Sequence, residues 1–65
     1  MFRELDAQLA RAGMDKKQLA KKANMAYSTL LGKCNGAYEF TFSECCTIRS
    51  IVAPEMRLED LFKKF

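Results

Sequence analysis

Residues 14–36 read MDKKQLAKKANMAYSTLLGKCNG, and the fold follows from this stretch. Asp15 stands where its carboxylate can accept the Gln18 amide, and Gln18 can reach back to the Asp15 amide. This is the reciprocal pattern of a capping box, with Met14 and Leu19 at the flanking staple positions. The helix so begun carries Leu19, Ala20 and Ala23 on a narrow apolar face, and Lys16, Lys17, Lys21 and Lys22 around the remainder. Asparagine tolerates a left-handed backbone, so Asn24 can end this helix and open a tight turn. Met25 and Leu30 repeat the staple spacing around a third helix, about Tyr27 to Cys34, with Met25 expected in the core. Asn35-Gly36 closes it as a turn signal. Two short helices joined through Asn24-Met25-Ala26 can cross steeply, as in a helix-turn-helix.

On the amino-terminal side, Phe2, Leu5, Leu9 and Ala12 recur at helical spacing and Gly13 is a natural stop. Beyond residue 36, Thr41 and Glu44 make a second capping box, with Phe40 and Cys45 as its staple. Phe42, Cys45, Ile48 and Val52 are expected to line one face of a fourth helix, which Pro54 ends. Leu58, Leu61, Phe62 and Phe65 mark a short fifth helix, with Lys63 and Lys64 near its carboxyl end. The strand-like run Tyr38 to Phe42 contains the second capping box, which argues against a strand. The sequence predicts one all-α domain of five helices over residues 1–65, without repeats or linkers.

At 65 residues, the chain is near the lower limit for folding alone. Its 49% apolar content is enough for a packed core, so order is expected. No run approaches the ~18 apolar residues of a membrane span. Met1-Phe2-Arg3-Glu4 lacks the pattern of a signal peptide, and a cytoplasmic setting is expected. Cys34, Cys45 and Cys46 suggest no disulfide framework and are read as small buried thiols. Without histidine or a Cys-x-x-Cys pair, no metal site is expected. Enzyme chemistry and cofactors are not expected either, because the commonest general base is missing and the glycines form no phosphate loop. Glu59 and Asp60 point about 100° apart on a helix and suit its first turn better than a catalytic dyad.

Charge is unevenly placed. Residues 14–36 net +4 from five lysines and Asp15, whereas the rest of the chain nets −1. Lysine is a good soluble helix former, a reading that predicts no particular location. Phosphate binding predicts this one.

Gln18-Leu19-Ala20-Lys21-Lys22, the turn at Asn24-Met25, Ser28-Thr29-Leu30 and the closing Asn35-Gly36 resemble the Cro/repressor helix-turn-helix family, also called XRE-like. Glu39-Phe40-Thr41-Phe42-Ser43-Glu44, then Ile48, then Leu58-Glu59-Asp60-Leu61-Phe62, is similar to small phage regulators of that family. The resemblance covers nearly the whole chain. It implies a lambda-repressor-like domain that places its third helix in the major groove of double-stranded DNA and regulates transcription. Tyr27 and Ser28 fall at the base-reading start of that helix and Gly32 one turn further on; with Leu31 they form the expected base-facing set. Lys16 falls where the second helix touches a phosphate, and Asn35 at the closing asparagine. Lys17, Thr29, Lys33 and Tyr38 complete the expected phosphate-facing set. Leu19, Ala20, Met25, Leu30 and Cys34 match buried positions.

The chain departs from the family in three places. Ala26 sits where a serine or threonine cap is usual, at a cost of about 0.5–2 kcal/mol. Gly32 removes a side chain that would reach a base, and Leu31 puts an apolar group on a polar face. The base-facing set contains no Arg, Gln or Asn, so bidentate readout is not expected, and thymine methyl contact or DNA shape takes its place. Leu31, Tyr27 and Gly32 also suit a rival reading, a helix-turn-helix turned protein-binding module such as an antirepressor or assembly factor. Phe65 at the end of the last helix either pairs two copies of the chain or packs back on the core.

Overall fold

The computed structural model describes residues 2–63. They form five helices: α1 (Arg3–Arg11), α2 (Lys16–Lys22), α3 (Tyr27–Cys34), α4 (Phe42–Val52) and α5 (Leu58–Leu61). No strand occurs among the described residues, and none of these helices is long and apolar enough to cross a membrane.

Three of the helix ends close in the same way. At α1 the Gly13 amide donates to Ala10 O and the Met14 amide to Leu9 O; at α2 the Asn24 amide donates to Lys21 O and the Met25 amide to Ala20 O. At α3 the Gly36 amide donates to Lys33 O and the Ala37 amide to Gly32 O. Each pair is a Schellman motif, which satisfies carbonyls the last turn would leave orphaned. The motif needs one left-handed residue after the cap, and Gly13, Asn24 and Gly36 supply it at φ +68°, +57° and +86°. Asn24 is the non-glycine of the three, and its short polar side chain makes the conformation tolerable.

Helix starts differ from one another. Asp15 Oδ1 accepts the Gln18 amide at 2.8 Å and Gln18 Oε1 accepts the Asp15 amide at 3.0 Å. Thr41 Oγ1 accepts the Glu44 amide at 3.2 Å, and Glu44 Oε1 accepts the Thr41 amide at 2.9 Å. Both expected capping boxes are therefore present. At α3, Ala26 has the extended backbone of a cap but no side chain to accept a hydrogen bond.

Each helix sends one side chain fully into the centre: Leu5, Leu19, Leu30, Ile48 and Leu61. Burial of a leucine or isoleucine contributes about 1.5–3 kcal/mol, so these five positions form the main apolar anchor of the fold. Leu9, Ala20, Cys34, Val52 and Ala53 surround them. Phe2, Phe40 and Phe62 meet edge to face, with ring centroids 5.1–6.0 Å apart. That cluster ties the amino-terminal end to the α3–α4 loop and the end of α5. The α4–α5 turn is held by Arg49, whose Nη1 donates to Pro54 O at 2.9 Å and Met56 O at 3.2 Å.

Several expectations require correction. Phe42 does not line the inner face of α4 but is 76% exposed. At about 100° per residue it lies about 120° around the helix from Ile48, off the buried stripe. Met25 is half-buried against the core rather than enclosed. Of the three cysteines only Cys34 is buried; Cys45 and Cys46 are half-buried at the flanks of α4. Burial pushes the Cys34 and Cys45 thiols above their ordinary pKa. Helix α5 ends at Leu61, with Phe62 half-buried as its cap. Phe65, named as a pairing surface, and Lys64 lie outside the described residues.

Candidate nucleic-acid interface

Leu30 and Cys34 are the buried side of α3. With about 100° between neighbours, that leaves Ser28, Gly32 and Asn35 on the opposite strip, with Thr29 and Leu31 to either side. Ser28, Thr29 and Asn35 are exposed, and Leu31 is half-buried. Tyr27, at the first position of the helix, is 41% exposed. Ala26 offers no cap, and among the described residues no side-chain hydrogen bond closes the α3 start. Amides of a first turn left open in this way point outward and favour negative charge.

Lys17, from the outer side of α2, holds its ammonium 5.7 Å from the centre of the Tyr27 ring. This is cation–π distance and brings a charge to the start of α3. Lys21 and Lys22 are exposed and form no ion pair among the described residues. The carboxylate of Asp15 is occupied by the α2 cap.

Two of the five segment lysines are engaged elsewhere. Lys16 is 3.7 Å from Asp6 of α1, with its side chain 32% exposed. Such a half-exposed pair is weak, typically about 0–1 kcal/mol. Lys33 differs in kind. Its side chain is only 13% exposed, and Nζ donates to both carboxylate oxygens of Glu44, at 2.5 and 2.6 Å. The Lys33 hydrogen bond, and then the Thr41 amide, hold the Glu44 carboxyl below the usual range. Lys33, expected at a phosphate, therefore directs its charge into the α3–α4 junction. It stands about 60° around α3 from Leu30, on the flank that meets the start of α4.

Gly32, expected at a base-facing position, is half-buried with the Tyr38 ring beside it. A Cβ built there would lie 2.8 Å from Cδ2 and Cε2 of Tyr38. The Schellman turn at Gly36 sends the chain back so that the Tyr38 ring rests on the glycine, while the tyrosine remains 64% exposed. What the surface presents at this level of α3 is the ring of Tyr38.

Tyr27, Ser28, Leu31, Lys17, Thr29, Asn35 and Tyr38 thus lie on or beside α3, Lys16 borders α1, and Lys33 and Gly32 are occupied by neighbours. Sequence reasoning missed the role of Glu44 as partner of Lys33, since the two are 11 residues apart and share no helix. The glycine inside α3 was a usable signal, because a mid-helix glycine often marks a close approach. Comparison with protein-family models, curated proteins and solved structures found no match for this chain.

Proposed function

We propose that the chain is a DNA-binding transcription regulator in which α2 and α3 act as a helix-turn-helix and α3 enters the major groove. The observation that carries this reading is the open, side-chain-uncapped start of α3 beside the Lys17 ammonium. Ser28 and Thr29 stand exposed there, and Lys21 and Lys22 add charge that no described carboxylate neutralises. A duplex phosphate fits such a place through amide donors and lysine charge together. On this reading the protein works in the cytoplasm.

The test is fluorescence anisotropy of labelled random duplex DNA across salt concentrations. Wild type should bind at low salt and weaken steeply as salt rises, because bound lysines release counterions. Replacing Lys17, Lys21 and Lys22 together by Gln should weaken binding to all duplexes. It should also flatten the log–log salt slope by about 0.9 for each phosphate that a lysine no longer neutralises. Absence of binding by wild type at low salt would sink the proposal.

A second reading is favoured by one observation: Phe42 and Tyr38 are 76% and 64% exposed, the most exposed large hydrophobics among the described residues. A protein-binding module of the antirepressor or assembly-factor kind would use them as anchors. Retention of duplex binding by a Phe42→Ser variant, with no partner protein co-purifying, would weigh against it.

A further inference from the structure

We infer that Tyr38 acts as the missing side chain of Gly32, so that the base-reading surface of α3 is composite and the tyrosine is a specificity-determining residue toward duplex DNA. The inference rests on the DNA-binding reading and deepens it.

Glycine inside an eight-residue helix needs a reason, since it destabilises by about 1 kcal/mol against alanine. The ring of Tyr38 occupies the space that a side chain at this position would take. Both Cδ2 and Cε2 lie 2.8 Å from where a Cβ would stand, closer than real carbon atoms approach, so alanine would force the ring away. The backbone on both sides of this close approach is fixed. The Ala37 amide donates to the Gly32 carbonyl at 2.9 Å, which sets residue 38 one step beyond the turn.

Packing of the core does not explain the tyrosine. Its ring borders a shallow apolar hollow also lined by Phe2, Phe40, Phe62 and Cys45, and yet stays 64% exposed. A ring whose purpose was burial would go deeper, because the hydrophobic gain follows the area removed from water. Instead it projects from the level of α3 where a base-reading side chain is absent. The helix itself offers Ser28 and Leu31 there, neither of which makes a bidentate pair with guanine or adenine. A phenol adds one donor and two acceptor sites, and its ring adds an apolar face for a thymine methyl.

The test begins with selection of bound duplexes from a random pool, which defines a preferred duplex and a scrambled one for wild type. Affinity for the two is then measured by anisotropy for wild type, Tyr38→Ala, Gly32→Ala and the double variant. Circular dichroism melts confirm that each variant is folded at the assay temperature. Tyr38→Ala should lower the preferred-to-scrambled ratio about tenfold, the range that one base-reading interaction supplies. Gly32→Ala should lower it comparably although the tyrosine is still present, because the new methyl displaces the ring. The double variant should fall no further than either single one, the mark of a coupled pair. A Tyr38→Ala protein that keeps the wild-type ratio overturns the inference and leaves the DNA-binding reading standing. Wild type that binds without preferring any duplex does the same. Wild type that binds no duplex at low salt overturns both.

Discussion

The starts of α3 and α4 are built on the same backbone plan and finished in opposite ways. Ala26 and Thr41 both have the extended conformation of a cap residue, with ψ 140° and 161°. At α4 every side chain in reach contributes: Thr41 accepts the Glu44 amide, Glu44 accepts the Thr41 amide, and Lys33 neutralises Glu44 from the neighbouring helix. At α3 the equivalent amides meet no side-chain cap among the described residues. Stability favours the closed arrangement by about 1 kcal/mol for the cap alone. The open start therefore forgoes that stability at the place where the proposed function puts a phosphate.

The largest effect that would break this comparison is expected from Glu44→Ala. It removes the returning arm of the capping box and leaves the half-buried Lys33 ammonium without its carboxylate. Hydrogen bonds to charged groups contribute about 1.5–3 kcal/mol, so the thermal midpoint should fall by roughly 10 °C or more. A drop of a degree or two would show that the α3–α4 clamp is unimportant. Thr41→Ala should cost less, about 1 kcal/mol, as it removes one cap acceptor and keeps the ion pair. Melts of both variants decide the order.

Smaller still, and opposite in sign, is the response to closing α3. Ala26→Ser should raise stability by about 0.5–1 kcal/mol. Ala26→Asp should also stabilise, since a carboxylate suits a helix start. It should nevertheless weaken duplex binding relative to Ala26→Ser, by placing negative charge where a phosphate is proposed to sit. Equal affinities for the two variants would separate the open start of α3 from the binding face. Mild acid should give the smallest change, because it removes only part of the Glu44 contribution. Glu44 has a folded pKa below its unfolded value, so its contribution is complete above about pH 4.3 and fades as pH falls through the lower folded value. The advantage of wild type over Glu44→Ala should begin to shrink as pH falls below about 4.3 and go on shrinking through the lower folded value, checked by parallel melts.

Much of this molecule was legible because its signals are short. Asp15 with Gln18 and Thr41 with Glu44 span three residues each, and the left-handed Asn24 and Gly36 follow from their own side chains. Phe42 was misjudged because it sits three residues before Cys45, a spacing that mimics the buried stripe without lying on it. The expected charge of the α2–α3 segment was overstated for a different reason. The count along the chain treats Lys16 and Lys33 as available, whereas Asp6 and Glu44 approach them from other helices.

Sequence alone determined the bounds of α1 to α4, since caps, Schellman turns and apolar periodicity act over a few bonds of backbone. Only the tertiary structure decided which charges remain available and which surface α3 presents. Those depend on side chains brought together by packing, Lys33 onto Glu44, Tyr38 onto Gly32 and Phe2 onto Phe40 and Phe62. Pairings of that kind are settled by the shared core of Leu5, Leu19, Leu30, Ile48 and Leu61, to which all five helices contribute at once.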